Sequence, residues 1–260
     1  MIARDIWRKP INYPLSLTLA VIAGFFWIIF SEREEQPERR IEAGERRVPD
    51  PFIAGTAALV AAILTARLGY TALHIDYFRA NPLEILYLWE GGLSGVAAGV
   101  GMLIGLGAYT LYTEGSFWEL GDALAIPLQF VMLGSWAGCW FEGCAYGSPT
   151  EIDLYITGTD PYGSTIRRWP TQGMGVLLSV FSFGMLTWLG ERETPPGLRF
   201  ALSFTAGALS SAVIGLYRSD PVMLVGPARL DTVGYALLGI LGMFWMSSRL
   251  YGKEKVREQP

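Results

Sequence analysis

Residues 91–112 read GGLSGVAAGVGMLIGLGAYTLY, an uninterrupted stretch without a charged side chain and with glycine at 91, 92, 95, 99, 101, 105 and 107. A helix needs roughly 20 consecutive apolar residues to cross the hydrocarbon core, with all its backbone polar groups satisfied internally. Small residues three or four positions apart let helix backbones approach one another closely. The stretch therefore reads as a transmembrane helix that packs into a bundle.

Working outward, the same reading assigns spans at about Tyr13 to Phe30, Phe52 to Leu73, Gly91 to Tyr112, Ala123 to Cys144, Gly173 to Leu189, Phe200 to Tyr217 and Val233 to Arg249. The expected fold is an all-α integral membrane protein, one transmembrane domain over 1–260, with a seven-transmembrane-helix bundle and outward-facing interfacial arms. No internal repeat or pair of interrupted helices suggests a transporter. The opening MIARDIWRKPINY has a basic flank but no small-residue cleavage site after its apolar run, so the first helix is read as retained.

Composition narrows the function. The chain is 51% apolar with a net charge of −4, and its basic residues sit at segment ends, which leaves no basic stripe for nucleic acid. Two cysteines in one apolar stretch lack zinc-site spacing, and His74 is the single histidine. No metal or other cofactor is expected. Eight lysines and arginines fall on the side of the N-terminus and eleven on the other, counting the tail from Arg249, so the N-terminus is expected outside and the C-terminus in the cytoplasm. The charged stretch 31–51 is then a solvated cytoplasmic loop. Residues 74–90, HIDYFRANPLEILYLWE, mix aromatics with isolated charges and suit the outer headgroup layer.

The polar residues retained near the outer side carry the functional signal. GCWFEGCAYGSPT at 138–150 places Cys139, Glu142, Cys144 and Tyr146 at the end of the fourth span. Ionisable groups at membrane depth are costly and mark function by default. In a continuous helix Cys139 and Cys144 lie about 140° apart, so a disulfide between them requires the helix to break at Gly143; otherwise both serve as small core hydrophobes. Arg67 either snorkels or pairs with a carboxylate, Glu90 or Glu142 being the partners in view. Arg218, beside Asp220, is either an interfacial anchor or a bidentate phosphate ligand.

These blocks resemble the prolipoprotein diacylglyceryl transferases, seven-helix enzymes with a periplasmic N-terminus and a cytoplasmic C-terminus. ARLGY at 66–70, NPLEILYLWEGGLS at 81–94, G(x)4G(x)2YGSPT ending at Thr150, WPTQ at 169–172 and GPARLDTVGYALLGILG at 226–242 occur in the family's order. The resemblance implies transfer of a diacylglyceryl group from phosphatidylglycerol to a lipoprotein cysteine thiol at the outer leaflet. The membrane phospholipid and a preprolipoprotein would then be the partners, and a further partner in a membrane complex is left open. The sequence also departs from the family. Its histidine falls on Val96, the glycine pair after it on Ala97 and Ala98, and its signature arginine on Trp136. Its two asparagines fall on Cys139 and Glu142 and its glutamate on Cys144. The late Arg(x)3Glu pair has no counterpart, although Arg218 and Asp220 resemble the Arg-x-Pro-Asp after it; Tyr13 matches the first-helix tyrosine.

On this reading the expected catalytic set is Glu142 as base with Tyr146, Cys139 and Cys144, and the headgroup set is Arg67, Tyr70, Glu90, Ser94 and Arg218. Two alternatives stay open: a non-catalytic lipid-binding or assembly subunit on the same fold, and a thiol/disulfide protein cycling Cys139 and Cys144.

Overall fold

The computed structural model describes residues 12–43, 49–88, 91–159, 165–190 and 192–257. Among the described residues, seven helices are long and apolar enough to cross a membrane. They are α1 (Asn12–Ala43), α2 (Pro51–Leu73), α4 (Gly95–Thr113), α5 (Phe117–Glu142), α6 (Thr171–Gly190), α7 (Leu198–Gly215) and α8 (Leu230–Arg257). A short helix α3 (Ile75–Ala80) and a 3-10 turn (Pro82–Leu86) follow α2. Two small antiparallel hairpins, β1 (Ile156–Thr159) with β2 (Thr165–Arg168) and β3 (Leu224–Val225) with β4 (Ala228–Arg229), complete the described elements. The protein is thus an all-α multi-pass membrane protein.

Helix ends follow local chemistry. Asp50 accepts hydrogen bonds from the Phe52 and Ile53 amides, at 2.7 and 3.4 Å, and Pro51 occupies the first helical position of α2. The third span begins four residues later than the sequence suggests. Gly91 and Gly92 adopt φ of +84° and +71°, so the chain turns before Ser94 caps α4. Conversely, α1 runs on to Ala43, so the charged stretch from Ser31 begins as helix rather than loop.

α5 is the centre of the bundle, packed against α1, α6 and α7, while α2 pairs with α4 and α7 with α8. The α2–α4 contact depends on small residues: a Cβ on Gly105 would lie 2.5 Å from the Ala57 carbonyl, and one on Gly101 would lie 2.6 Å from that of Ala61. Large apolar side chains such as Phe26, Leu64, Leu177, Phe181, Leu237 and Phe244 point outward, as lipid-facing residues do.

Buried polar groups bind the helices where lipid offers no partner. Gln129 of α5 donates to the Ser203 carbonyl and hydroxyl of α7 at 3.1 and 2.7 Å, and the Ser203 hydroxyl donates to the Ala125 carbonyl at 2.6 Å. Asp122 of α5 accepts the Gly197 and Phe200 amides at 2.6 and 2.8 Å, capping α7 from a neighbouring helix. Asp122→Ala leaves those amides exposed to an apolar surround, and the expected loss is about 1–2 kcal/mol. Reversible unfolding of the purified protein in mixed micelles checks this; an unchanged midpoint would show that the cap contributes nothing.

Candidate functional site

The polar blocks converge where α5 ends. Gly143 has φ +75° and its amide bonds the Cys139 carbonyl at 2.8 Å, so the helix closes at Glu142. The expected span to Cys144 is therefore two residues too long. The chain folds back at this turn, and Cys139 and Cys144 form a disulfide with Cα atoms 4.6 Å apart. The break at Gly143 is the condition the sequence reading attached to that bond.

Beyond the disulfide, residues 144–148 are held by three polar side chains from the start of α6 and the strand before it. Gln172 donates to the Cys144 carbonyl at 2.8 Å, Thr171 to that of Ala145 at 2.7 Å and Arg168 to that of Gly147 at 3.1 Å. The Arg168 guanidinium also lies 5.0 Å from the Tyr146 ring centroid. On the other side the Ser219 amide bonds the Tyr146 carbonyl at 3.0 Å and the Ser148 amide bonds the Tyr217 carbonyl at 2.7 Å. Of the expected catalytic set, Tyr146 and the cysteines belong to this clasp. Glu142 is exposed and makes no hydrogen bond or ion pair among the described residues.

Arg67 is buried at 6% exposure and makes four hydrogen bonds, all to backbone carbonyls: Ile85 at 2.8 Å, Gly91 at 2.7 Å, Gly92 at 3.0 Å and Glu84. Its guanidinium also faces the Phe78 ring at 5.2 Å. It is buried rather than snorkelling and meets no carboxylate among the described residues; it gathers the loop between α3 and α4 onto α2. Tyr70 stacks on His74 with centroids 4.1 Å apart and closes over Gly92, where a Cβ would lie 2.6 Å from its ring. Ser94 is the cap of α4. Glu90 lies outside the described residues.

Arg218 enters a compact charged quartet. It bonds Asp220 through Nε and one terminal nitrogen at 2.8 and 2.6 Å, and its other terminal nitrogen lies 3.3 Å from Asp231. Arg229 contacts the same two carboxylates at 3.4 and 3.1 Å. Burial alone would lower the Arg218 pKa, but the hydrogen bonds and charges of Asp220 and Asp231 prevail and raise it. The quartet carries two positive and two negative charges, so it fastens the segment after α7 to β4 and α8 more than it attracts an anion. Arg229 and Asp231 are absent from the expected site, although both lie in the quoted 226–242 block.

Contacts join these parts in two groups, Arg67 to Gly92 and Gly95 to Tyr235 in one and Arg218 to Gly147 by a backbone bridge in the other, with Tyr235 within electrostatic reach of Arg218. Two apolar residues line the same end. Val96 fits against Gly234, where a Cβ would lie 2.7 Å from its methyl carbon, and Trp136 packs its ring against Gly175 with 7% exposure. Tyr13 meets Ser135, with oxygens 3.1 Å apart.

The family model described as Prolipoprotein diacylglyceryl transferase matches residues 9–248. A phosphatidylglycerol–prolipoprotein diacylglyceryl transferase of Thermosynechococcus vestitus is 29% identical over 249 residues, covering 91% of this chain and 88% of its own. Proteins of the same name from Dehalococcoides mccartyi and a Synechocystis species are 26% and 28% identical; the former covers 95% of this chain and 90% of its own, the latter 78% and 77%.

The six-residue ring closed by the disulfide limits the unfolded chain by about 2 kcal/mol in the loop-entropy account. A Cys139→Ala/Cys144→Ala variant is expected to lose about that much stability and to become insensitive to reductant. Equal unfolding midpoints of wild type with and without reductant would remove the disulfide from the account.

Proposed function

The chain belongs to the prolipoprotein diacylglyceryl transferase family, and we propose on that premise that it moves a diacylglyceryl group from phosphatidylglycerol to a lipoprotein cysteine at the outer face of a bacterial plasma membrane. The observation that carries this reading is the end-to-end match to relatives bearing that name, over nine-tenths of this chain in the two longest matches cited. In this reading the N-terminus lies outside and the C-terminus in the cytoplasm, in keeping with the larger basic count on the C-terminal side.

The chemistry sets clear demands. A carbon–sulfur bond forms to the glyceryl carbon, the carbon–oxygen bond to phosphate breaks, glycerol phosphate leaves with the electron pair, and the thiol proton passes to a base. Glu142 is the proposed base: it stands at the end of α5 with no charged partner among the described residues. Arg218 is the proposed phosphate contact, exchanging part of its pairing with Asp220 and Asp231 for the leaving group. Arg67 contributes by holding the backbone that leads into Ser94, since its hydrogen bonds go to the carbonyls of Glu84, Ile85, Gly91 and Gly92.

A second reading has its own support. On the sequence resemblance Val96 and Trp136 fall at the family's histidine and arginine, and both are packed against glycines of neighbouring helices. A bundle filled in this way suits a lipid-binding or assembly subunit that has given up transfer. Complementation separates the two. In bacteria depleted of their own enzyme, the wild-type chain is expected to add the diacylglyceryl mass to a reporter lipoprotein, and Glu142→Gln to reduce that by roughly a hundredfold or more, the usual scale of a general base. A wild-type chain that inserts, accumulates and adds no mass would favour the subunit.

A further inference from the structure

We propose that the hydroxyl of Tyr235 is a headgroup-binding contact that donates a hydrogen bond to the phosphodiester of phosphatidylglycerol at the outer end of the bundle. The inference rests on the preceding reading for the identity of the lipid.

Most strong donors at this end are committed to the protein itself. Arg67 serves backbone carbonyls, Arg218 and Arg229 share two aspartates, and Thr171 and Gln172 hold the chain after the disulfide. Tyr235 is different. It lies on the second turn of α8, and its hydroxyl reaches the first residue of α4, where a Cβ on Gly95 would overlap it and come within 3.2 Å of the ring carbon that bears it. That hydroxyl makes no hydrogen bond among the described residues, and its electrostatic neighbours are Arg218, Asp231 and Tyr13.

The placement is firm. Gly234, one residue earlier, receives Val96 of α4, so α4 and α8 meet closely and the phenol is held against the start of α4. The side chain is half-buried and its hydroxyl remains an uncommitted donor. A phosphodiester oxygen supplies the acceptor, and the guanidinium of Arg218 supplies the positive charge beside it. The absence of a side chain at Gly95 is what leaves room for the hydroxyl, and a methyl group there would displace it.

The test measures lipid retention by the full chain in phosphatidylcholine nanodiscs titrated with phosphatidylglycerol, read by native mass spectrometry. Tyr235→Phe is expected to weaken phosphatidylglycerol retention about tenfold, the scale of one hydrogen bond to a charged group, with phosphatidylcholine retention and unfolding temperature unchanged. Tyr235→Gln, which keeps a donor, recovers part of the loss and serves as the reporter if the phenylalanine variant does not fold. Equal phosphatidylglycerol retention by wild type and Tyr235→Phe, or equal loss of both lipids, overturns the proposal. Displacement of the lipid by millimolar free glycerol phosphate also overturns it, by assigning the site to a soluble phosphate. Transfer activity is scored alongside. A wild type that holds phosphatidylglycerol through Tyr235 but transfers nothing sinks the transferase reading and leaves this one standing; variants that transfer and bind like wild type do the reverse.

Discussion

A hydrocarbon surround supplies no hydrogen bonds, so each helix end and each loop that returns into the bundle has to bring its own partners. That constraint accounts for where most polar side chains of this chain are spent. Asp122 caps α7 from α5, Gln129 and Ser203 join the same two helices, and Arg67 collects four carbonyls of the loop before α4. Thr171, Gln172 and Arg168 do the same for the segment that follows the disulfide. The end of the bundle where α5 closes is in this sense a lattice of side chains satisfying backbone.

This changes how charge at that end is understood. Arginines in a membrane protein invite assignment as phosphate ligands, yet Arg67 is enclosed by carbonyls and Arg218 by two aspartates. A neutral quartet of two arginines and two aspartates offers an anion little net attraction, so recognition of a phosphodiester depends on positioned donors and on exchange of partners rather than on accumulated charge. Val96 against Gly234 and Trp136 against Gly175 show the complementary trend, with apolar volume and glycine hollows fitted to one another across helices.

Much of the fold was legible in the sequence because its signal is long and one-dimensional: apolar runs of membrane length, broken by polar connections. The exceptions were local. Gly91 and Gly92 looked like the start of a helix, but their left-handed backbone delays α4 to Gly95. Gly143 ends α5 before Cys144, and that turn is what lets two cysteines five positions apart meet. The site was less legible. Arg67 stood out as a buried charge, but its carbonyl partners are contacts that no spacing rule reports. Arg229 and Asp231 could have been suspected as an oppositely charged pair at a helix start facing Arg218 and Asp220, since all four lie between positions 218 and 231. Tyr235 gave no such signal, because its importance comes from a glycine some 140 residues earlier on another helix.

The central claim is that this end of the bundle transfers a lipid-derived group, and the most direct measurement uses purified components. The full chain in vesicles containing phosphatidylglycerol is incubated with a synthetic signal peptide bearing a single acceptor cysteine, and the peptide's mass is followed over time. The account predicts a diacylglyceryl adduct on the cysteine that requires phosphatidylglycerol and is absent with phosphatidylcholine alone. A folded chain that retains phosphatidylglycerol and leaves the peptide mass unchanged would contradict it.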